Sequence, residues 1–183
     1  MVAATLPAVE SIVGAVVFTD IVGFTEYTAV QGDERAIELL AVQEQIVRDA
    51  LPGGARIVKE LGDGLLLWFP DACDAVRTTI ALQRQFEART NETMLPLWVR
   101  IGIHWGRQAV RRDYIVGHDV NVAARIMDIA GPGEVVLSAA TVEAVAQSLP
   151  GVAFEELGPV VMKGIPDAVQ LFRVADAGAW GGE

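Results

Sequence analysis

The sequence is poor in the residues that usually build metal clusters or covalent staples. It holds one cysteine, Cys73, and two histidines, His104 and His118, in 183 residues. A lone thiol excludes a disulfide framework. Two histidines without ligand spacing give no zinc-type pattern. Cys73 lies in a helix-like apolar pattern and reads as a buried thiol. His104 reads as a strand residue and His118 as a cap or surface residue. Positive charge is also scarce: 14 Lys and Arg face 24 Asp and Glu, for a formal net charge of −10. That excludes the basic footprint a nucleic-acid partner needs. It does not exclude a nucleotide, because a bound divalent cation reverses the local sign. Long hydrophobic runs are missing too. The longest fully apolar stretch, Leu65–Phe69, is far short of the about 20 residues of a membrane span. The first residues carry no basic cluster, so there is no signal-peptide pattern. A cytoplasmic chain without membrane contact of its own is expected.

What is present is apolar material, 52% of the residues, enough for one sizeable core. The expected organisation is a leader over 1–11, a catalytic domain over 12–174 and a flexible tail over 175–183. Gly14–Thr19 is a β-branched apolar run and predicts a buried strand. Gly23-Phe24-Thr25 opens a helical region. Gly32 and Asp33 interrupt it, with Asp33 able to cap the next helix. That helix carries Ala36, Leu39, Leu40, Ile46 and Val47 at helical spacing and ends at Pro52-Gly53-Gly54. Arg56–Leu61 and Leu65–Phe69 predict a hairpin turning at Gly62-Asp63-Gly64. A helix over 71–89, a strand over 97–105 and a helix over 118–129 follow. Then come a strand over 134–137, a short helix over 139–147 capped by Ser138, and strands near 152–155 and 169–174. Strict β-α alternation is absent. The order predicts a ferredoxin-like α+β fold, an antiparallel-rich sheet with helices covering one face.

Two carboxylates stand at strand ends: Asp20 in FTDIVGFT and Asp63 in KELGDG. Carboxylates converging from adjacent strands suit oxygen-loving Mg2+, and the amides of Gly23, Phe24 and Thr25 at a helix start suit a phosphate. Hairpin chemistry for Asp63-Gly64 and helix capping for Asp20 are the plain alternatives. Asn121 and Arg125, four apart in DVNVAARI, share a helix face. Such a pair can hold a phosphoryl oxygen or form a solvated surface; the apolar neighbours Val120, Val122, Ala123 and Ala124 argue for partial burial. Lys59 interrupts an apolar strand four residues before Asp63.

FTDIVGFT, VKELGDG, IGIHWG and GHDVNVAAR, in this order and separation, resemble the class III nucleotidyl cyclase family, the adenylyl and guanylyl cyclases. The resemblance runs from about Ile12 to Val174 and is closest to bacterial single-domain members. It implies two divalent metal ions, Mg2+ or Mn2+, held by Asp20, Asp63 and the backbone carbonyl of Ile21. Gly23–Thr25 would face the triphosphate, Asn121 and Arg125 would form the transition-state pair, and Lys59 would read the purine. Lys163, in VVMKGIPD, matches a lysine near the terminal phosphates. The resemblance also implies a homodimer whose active sites are shared, one chain giving the aspartates and the other giving Lys59, Asn121, Arg125 and Lys163. No GGDEF-type turn is present, so a diguanylate cyclase is not indicated.

Lys59 donates to the acceptor N1 of adenine and would face a donor on guanine, at a cost of about 1–3 kcal/mol. ATP and cyclic AMP are therefore the expected substrate and product. Seven residues before Asn121, where the family's adenylyl cyclases usually carry Asp or Thr, stands Tyr114, with Asp113 just before it. A phenol both donates and accepts, so Tyr114 does not choose a purine; with one backbone shift Asp113 would take the position. A guanylyl or relaxed-specificity cyclase, and a degenerate regulatory domain, are the alternatives.

Overall fold

The computed structural model describes residues 9–175. The predicted tail, apart from Ala175, and most of the predicted leader lie outside these residues. The elements are β1 (Ser11–Ile21), α1 (Phe24–Gln31), α2 (Asp33–Ala50), β2 (Arg56–Glu60), β3 (Gly64–Phe69), α3 (Ala72–Thr93) and β4 (Val99–Arg111). After them come β5 (Tyr114–Val116), α4 (His118–Ile129), β6 (Val135–Ser138), α5 (Ala139–Val145), β7 (Phe154–Val160) and β8 (Val169–Val174). The eight strands form one sheet in the order β2-β3-β1-β4-β6-β8-β7, with β5 pairing β4 beside this path. Every pair is antiparallel except β4–β6. This is the α+β arrangement expected from the element order.

The two faces of the sheet are covered by different helices. Strand side chains alternate, and the buried residues sort accordingly. Ala15, Val17, Leu65, Leu67, Phe69, Ile101 and Ile103 pack with α2 and α3 in the main core. Val16, Phe18, Leu66 and Trp68 pack with Ile115, Val120 and Ala123 on the other side. A third cluster joins Val122 and Ile126 of α4 to Val136, Met162, Ile165 and Leu171. The expectation of a single covered face is thus corrected: α4 is amphipathic and its apolar stripe closes the second face.

Local signals explain the boundaries. Asp71 caps α3 by accepting the Asp74 amide at 2.9 Å, and Ser138 caps α5 by accepting the Thr141 amide at 3.4 Å, as side-chain oxygens at N-caps do. Two expectations, for Asp33 and for Cys73, are corrected. Gly32 is the N-cap of α2, and Asp33 is its first residue with no side-chain capping bond. Of the two readings of His118, cap or surface residue, the structure has the second: Gly117 is the N-cap of α4 and His118 is exposed. Cys73 is only partly buried, at the edge of the main core. Among the described residues no helix is long and apolar enough to cross a membrane.

Candidate active site

Asp20 is placed by the antiparallel register of β1. It lies opposite Gly64 on β3 and opposite Arg100 on β4. The Gly62-Asp63-Gly64 turn folds against the end of β1, where the Ile21 amide donates to the Asp63 carbonyl at 3.1 Å. Gly64 permits this approach, since a Cβ there would run into the Thr19 carbonyl. The hairpin therefore delivers Asp63 beside Asp20, as the sequence motif requires. Burial pushes the Asp20 carboxyl above its ordinary value, the Arg100 guanidinium pulls it back, and the neighbouring Asp63 pushes it up again. A carboxyl whose proton affinity is raised by burial and by a second carboxylate beside it sits in a place made for positive charge.

Part of that charge comes from Arg100, which the motif reading did not single out. Its Nε donates to Asp20 Oδ2 at 2.9 Å and its Nη2 lies 2.8 Å from the same oxygen. The only sequence signal was a cation inside the otherwise apolar strand LWVRIGIHW. Its partner depends on register, which the sequence does not print. Arg100 also approaches Asp128 of α4, Nη2 to Oδ1 3.9 Å, and Asp128 Oδ2 in turn accepts from Arg125 Nη1 at 3.1 Å. A line of alternating charge thus runs Asp20–Arg100–Asp128–Arg125 along the α4 side of the sheet.

Gly23 caps α1 with a left-handed φ of 76°, a conformation open to glycine at little cost. It turns the chain after β1, so that the first-turn amides of Phe24 and Thr25, which have no intrahelical acceptor, emerge one turn from Asp20. Gly23 and Thr25 are exposed and Phe24 is half-buried.

The remaining predicted residues lie at the surface. Lys59 is exposed on edge strand β2 opposite Leu66, whose side chain belongs to the α4-side cluster. Cross-strand partners share a face, so Lys59 stands on the same side of the sheet as Asp20. Asn121 and Arg125 are exposed on α4, whereas their neighbours Val120, Val122 and Ala123 are buried. The expected partial burial of the Asn121–Arg125 face is therefore corrected: the apolar neighbours point inward and this pair points out. Lys163 is exposed on the loop after β7, which Met162 and Ile165 pin to α4. Tyr114 begins β5 opposite Arg111 and is half-buried, while Asp113 is exposed in the turn before it. This short strand was absent from the sequence expectation.

A second polar cluster lies under α4. His104 Nδ1 meets Ser138 Oγ at 2.7 Å and its Nε2 lies 3.3 Å from Asp119 Oδ1. Asp119 Oδ2 accepts the Arg107 amide at 2.7 Å. Burial pulls the His104 pKa below its ordinary value, and Asp119 pushes it partly back.

Among the described residues no three or more His, Cys, Asp or Glu side chains converge as a self-sufficient metal cage. Two carboxylates on adjacent strand ends fit a divalent ion of the Mg2+ kind, which keeps several ligand positions for substrate phosphates and water. The donors are all oxygen, and the mutual repulsion of Asp20 and Asp63 is what such an ion would relieve.

Comparison with known proteins bears on the family and the fold. The family model described as the adenylate and guanylate cyclase catalytic domain matches residues 10–175. A pH-sensitive adenylate cyclase of Mycobacterium tuberculosis is 30% identical over 161 residues, 87% of this chain and 40% of that protein. An adenylyl cyclase of P. aeruginosa superposes with a TM-score of 0.81 at 26% identity, over 92% of this chain and 96% of that one. A guanylyl cyclase superposes with a TM-score of 0.77 at 24% identity, over 91% of this chain and 93% of that one. The fold is therefore common to enzymes acting on either purine. The chain spans about two fifths of the length of the curated relatives it matches. With four motifs, a sheet of this order and a family match over nearly the whole of the described residues, the chain belongs to the adenylate and guanylate cyclase catalytic domain family.

Proposed function

We propose that the chain is an adenylyl cyclase, converting ATP to 3',5'-cyclic AMP and pyrophosphate at sites shared by two copies. The observation that carries this reading is a division within one chain. Asp20 and Asp63 are assembled side by side, while Lys59, Asn121, Arg125 and Lys163 are all exposed. A second copy, applied head to tail, would set the exposed set of one chain over the aspartates of the other.

Asp20 and Asp63, with the Ile21 carbonyl, would hold the two divalent ions. Ions bound there would neutralise the triphosphate and lower the pKa of the ribose 3'-hydroxyl. Lys59 donates to adenine N1. The amides of Gly23–Thr25 and the Lys163 ammonium bind triphosphate oxygens. Asn121 orients the ribose. The 3'-oxygen attacks the α-phosphorus in line, its proton passes to water or substrate, and pyrophosphate leaves. Arg125 stabilises the charge that grows on the α-phosphoryl oxygens.

The test is cyclic nucleotide formation from ATP and from GTP, each with Mg2+ and with Mn2+. Cyclic AMP as the main product is expected; comparable product from GTP overturns purine selection. The second reading, a weakly active regulatory domain, is favoured by Tyr114, a bulky half-buried side chain at the start of β5. If neither nucleotide turns over, Tyr114→Asp distinguishes the two, since only a blocked cyclase gains activity from it.

A further inference from the structure

Asp128 fits poorly with the helix that carries it. It is the next-to-last residue of α4, and that last turn holds no basic residue. A carboxylate there opposes the negative end of the helix dipole. Its pair with Arg125 is also exposed, with side-chain accessibilities of 43% for Asp128 and 45% for Arg125. Exposed pairs of this kind add little to stability. A local rule broken without a folding gain points to function. The explanation lies in what Asp128 touches. Its two oxygens serve two different cations: Oδ2 accepts from Arg125 Nη1 at 3.1 Å, and Oδ1 lies 3.9 Å from Arg100 Nη2. Arg100 is itself held on Asp20.

We propose that Asp128 is a positioning residue shared between the two active sites of the dimer. This rests on the shared-site reading above. In the dimer, Arg100 stays with the aspartates of its own chain, whereas Arg125 reaches the site built on the other chain's aspartates. One carboxylate thus orients a guanidinium in each site. It fixes Arg125 toward the partner's α-phosphoryl oxygens. It also supplies Arg100 with a second anion when Asp20 turns to a cation. A long flexible arginine held at one end by a fixed carboxylate loses less freedom when it engages substrate.

The experiment uses hybrid dimers. Chains carrying Asp63→Ala are mixed with chains carrying Arg125→Ala, which leaves one intact site per heterodimer. Asp128→Asn is then added to one chain at a time. On the Asp63→Ala chain it acts on the live site through Arg125. On the Arg125→Ala chain it acts through Arg100. The expected result is a fall in kcat of about tenfold in both arms, with KM for the metal-nucleotide changed less than about twofold. Asp128→Glu restores part of the rate, and the thermal midpoint stays unchanged. A loss in one arm only, or in neither, overturns the shared bridge. A loss that tracks a lowered midpoint and is not relieved by Asp128→Glu shows a merely structural role and overturns it too. If the parental mixture recovers no activity although heterodimers form, the shared-site reading itself fails and takes this proposal with it.

Discussion

The aspartate end of the molecule and the outer surface of α4 are built by opposite means. Asp20 sits in a three-strand register, between Gly64 and Arg100, with Asp63 pressed against it by a hairpin whose tip bonds to the Ile21 amide. Its position is over-determined by backbone hydrogen bonds. Asn121 and Arg125 stand on an exposed helix face, and among the described contacts Arg125 touches only Asp128, on its own helix. Helix α4 is firmly seated by Val120, Val122, Ala123 and Ile126, so a packed scaffold carries exposed side chains. On the proposed shared-site reading, the difference means that one half of the chemistry is prepared within a chain and the other half waits for a counterpart.

The comparison can be broken most severely at the prepared half. Asp20→Ala or Asp63→Ala should lower metal-dependent cyclase activity by at least about a thousandfold. Far-UV circular dichroism and the thermal midpoint should show an intact fold, because Asp63→Ala removes like-charge repulsion and Asp20→Ala sets that relief against the loss of its partly exposed Arg100 pair. Substantial residual turnover in either purified variant would contradict the aspartate assignment.

At the exposed half, Arg125→Ala should cost about 10²–10³ in kcat, the usual effect of removing one transition-state donor. Mixing it with Asp63→Ala chains should restore part of the activity; failure to do so with heterodimers present would confine each site to one chain. Lys59→Ala should have a smaller effect, reducing the preference for ATP over GTP by about tenfold, as one mismatched buried hydrogen bond predicts. Competition assays with both nucleotides measure this directly.

Two changes probe the framework between the halves. Gly64→Ala places a methyl group against the Thr19 carbonyl and should destabilise the fold by about 1–3 kcal/mol, as overpacking does; chemical denaturation reads it. The smallest effect concerns His104. Burial holds its pKa below 6.5, so the unfolded chain binds its proton more readily than the folded one. The stability it contributes is fully present above pH 6.5 and is lost as the pH falls from there through the folded-state value. The thermal midpoint of the native protein should therefore drop more between about pH 7 and 5.5 than that of His104→Asn.

Much of this was legible because it is written in local chemistry. The Gly-Asp-Gly turn marks its own hairpin. Residues 118–129 carry a 3.6-residue apolar period bounded by glycines, and α4 has those bounds. What escaped was short or relational. Strand β5 has three residues, too few to show a period of two, and forms because it pairs with β4. Helix α1 buries no residue fully, so its apolar pattern carried little information. Arg100 and Asp128 were not singled out, because only register and helix packing bring them together.

The sequence by itself determined the family and the α+β class and named the candidate site residues, since motif spacing and periodicity are properties of neighbours along the chain. Only the tertiary structure decided that α4 closes the second face of the sheet, that Arg100 lies on Asp20, and that Asn121 and Arg125 face outward while the aspartates are gathered in. Those facts depend on register and on which face of each element is buried. Both are settled by contacts between residues as far apart as Asp20 and Arg100, when the whole core closes at once.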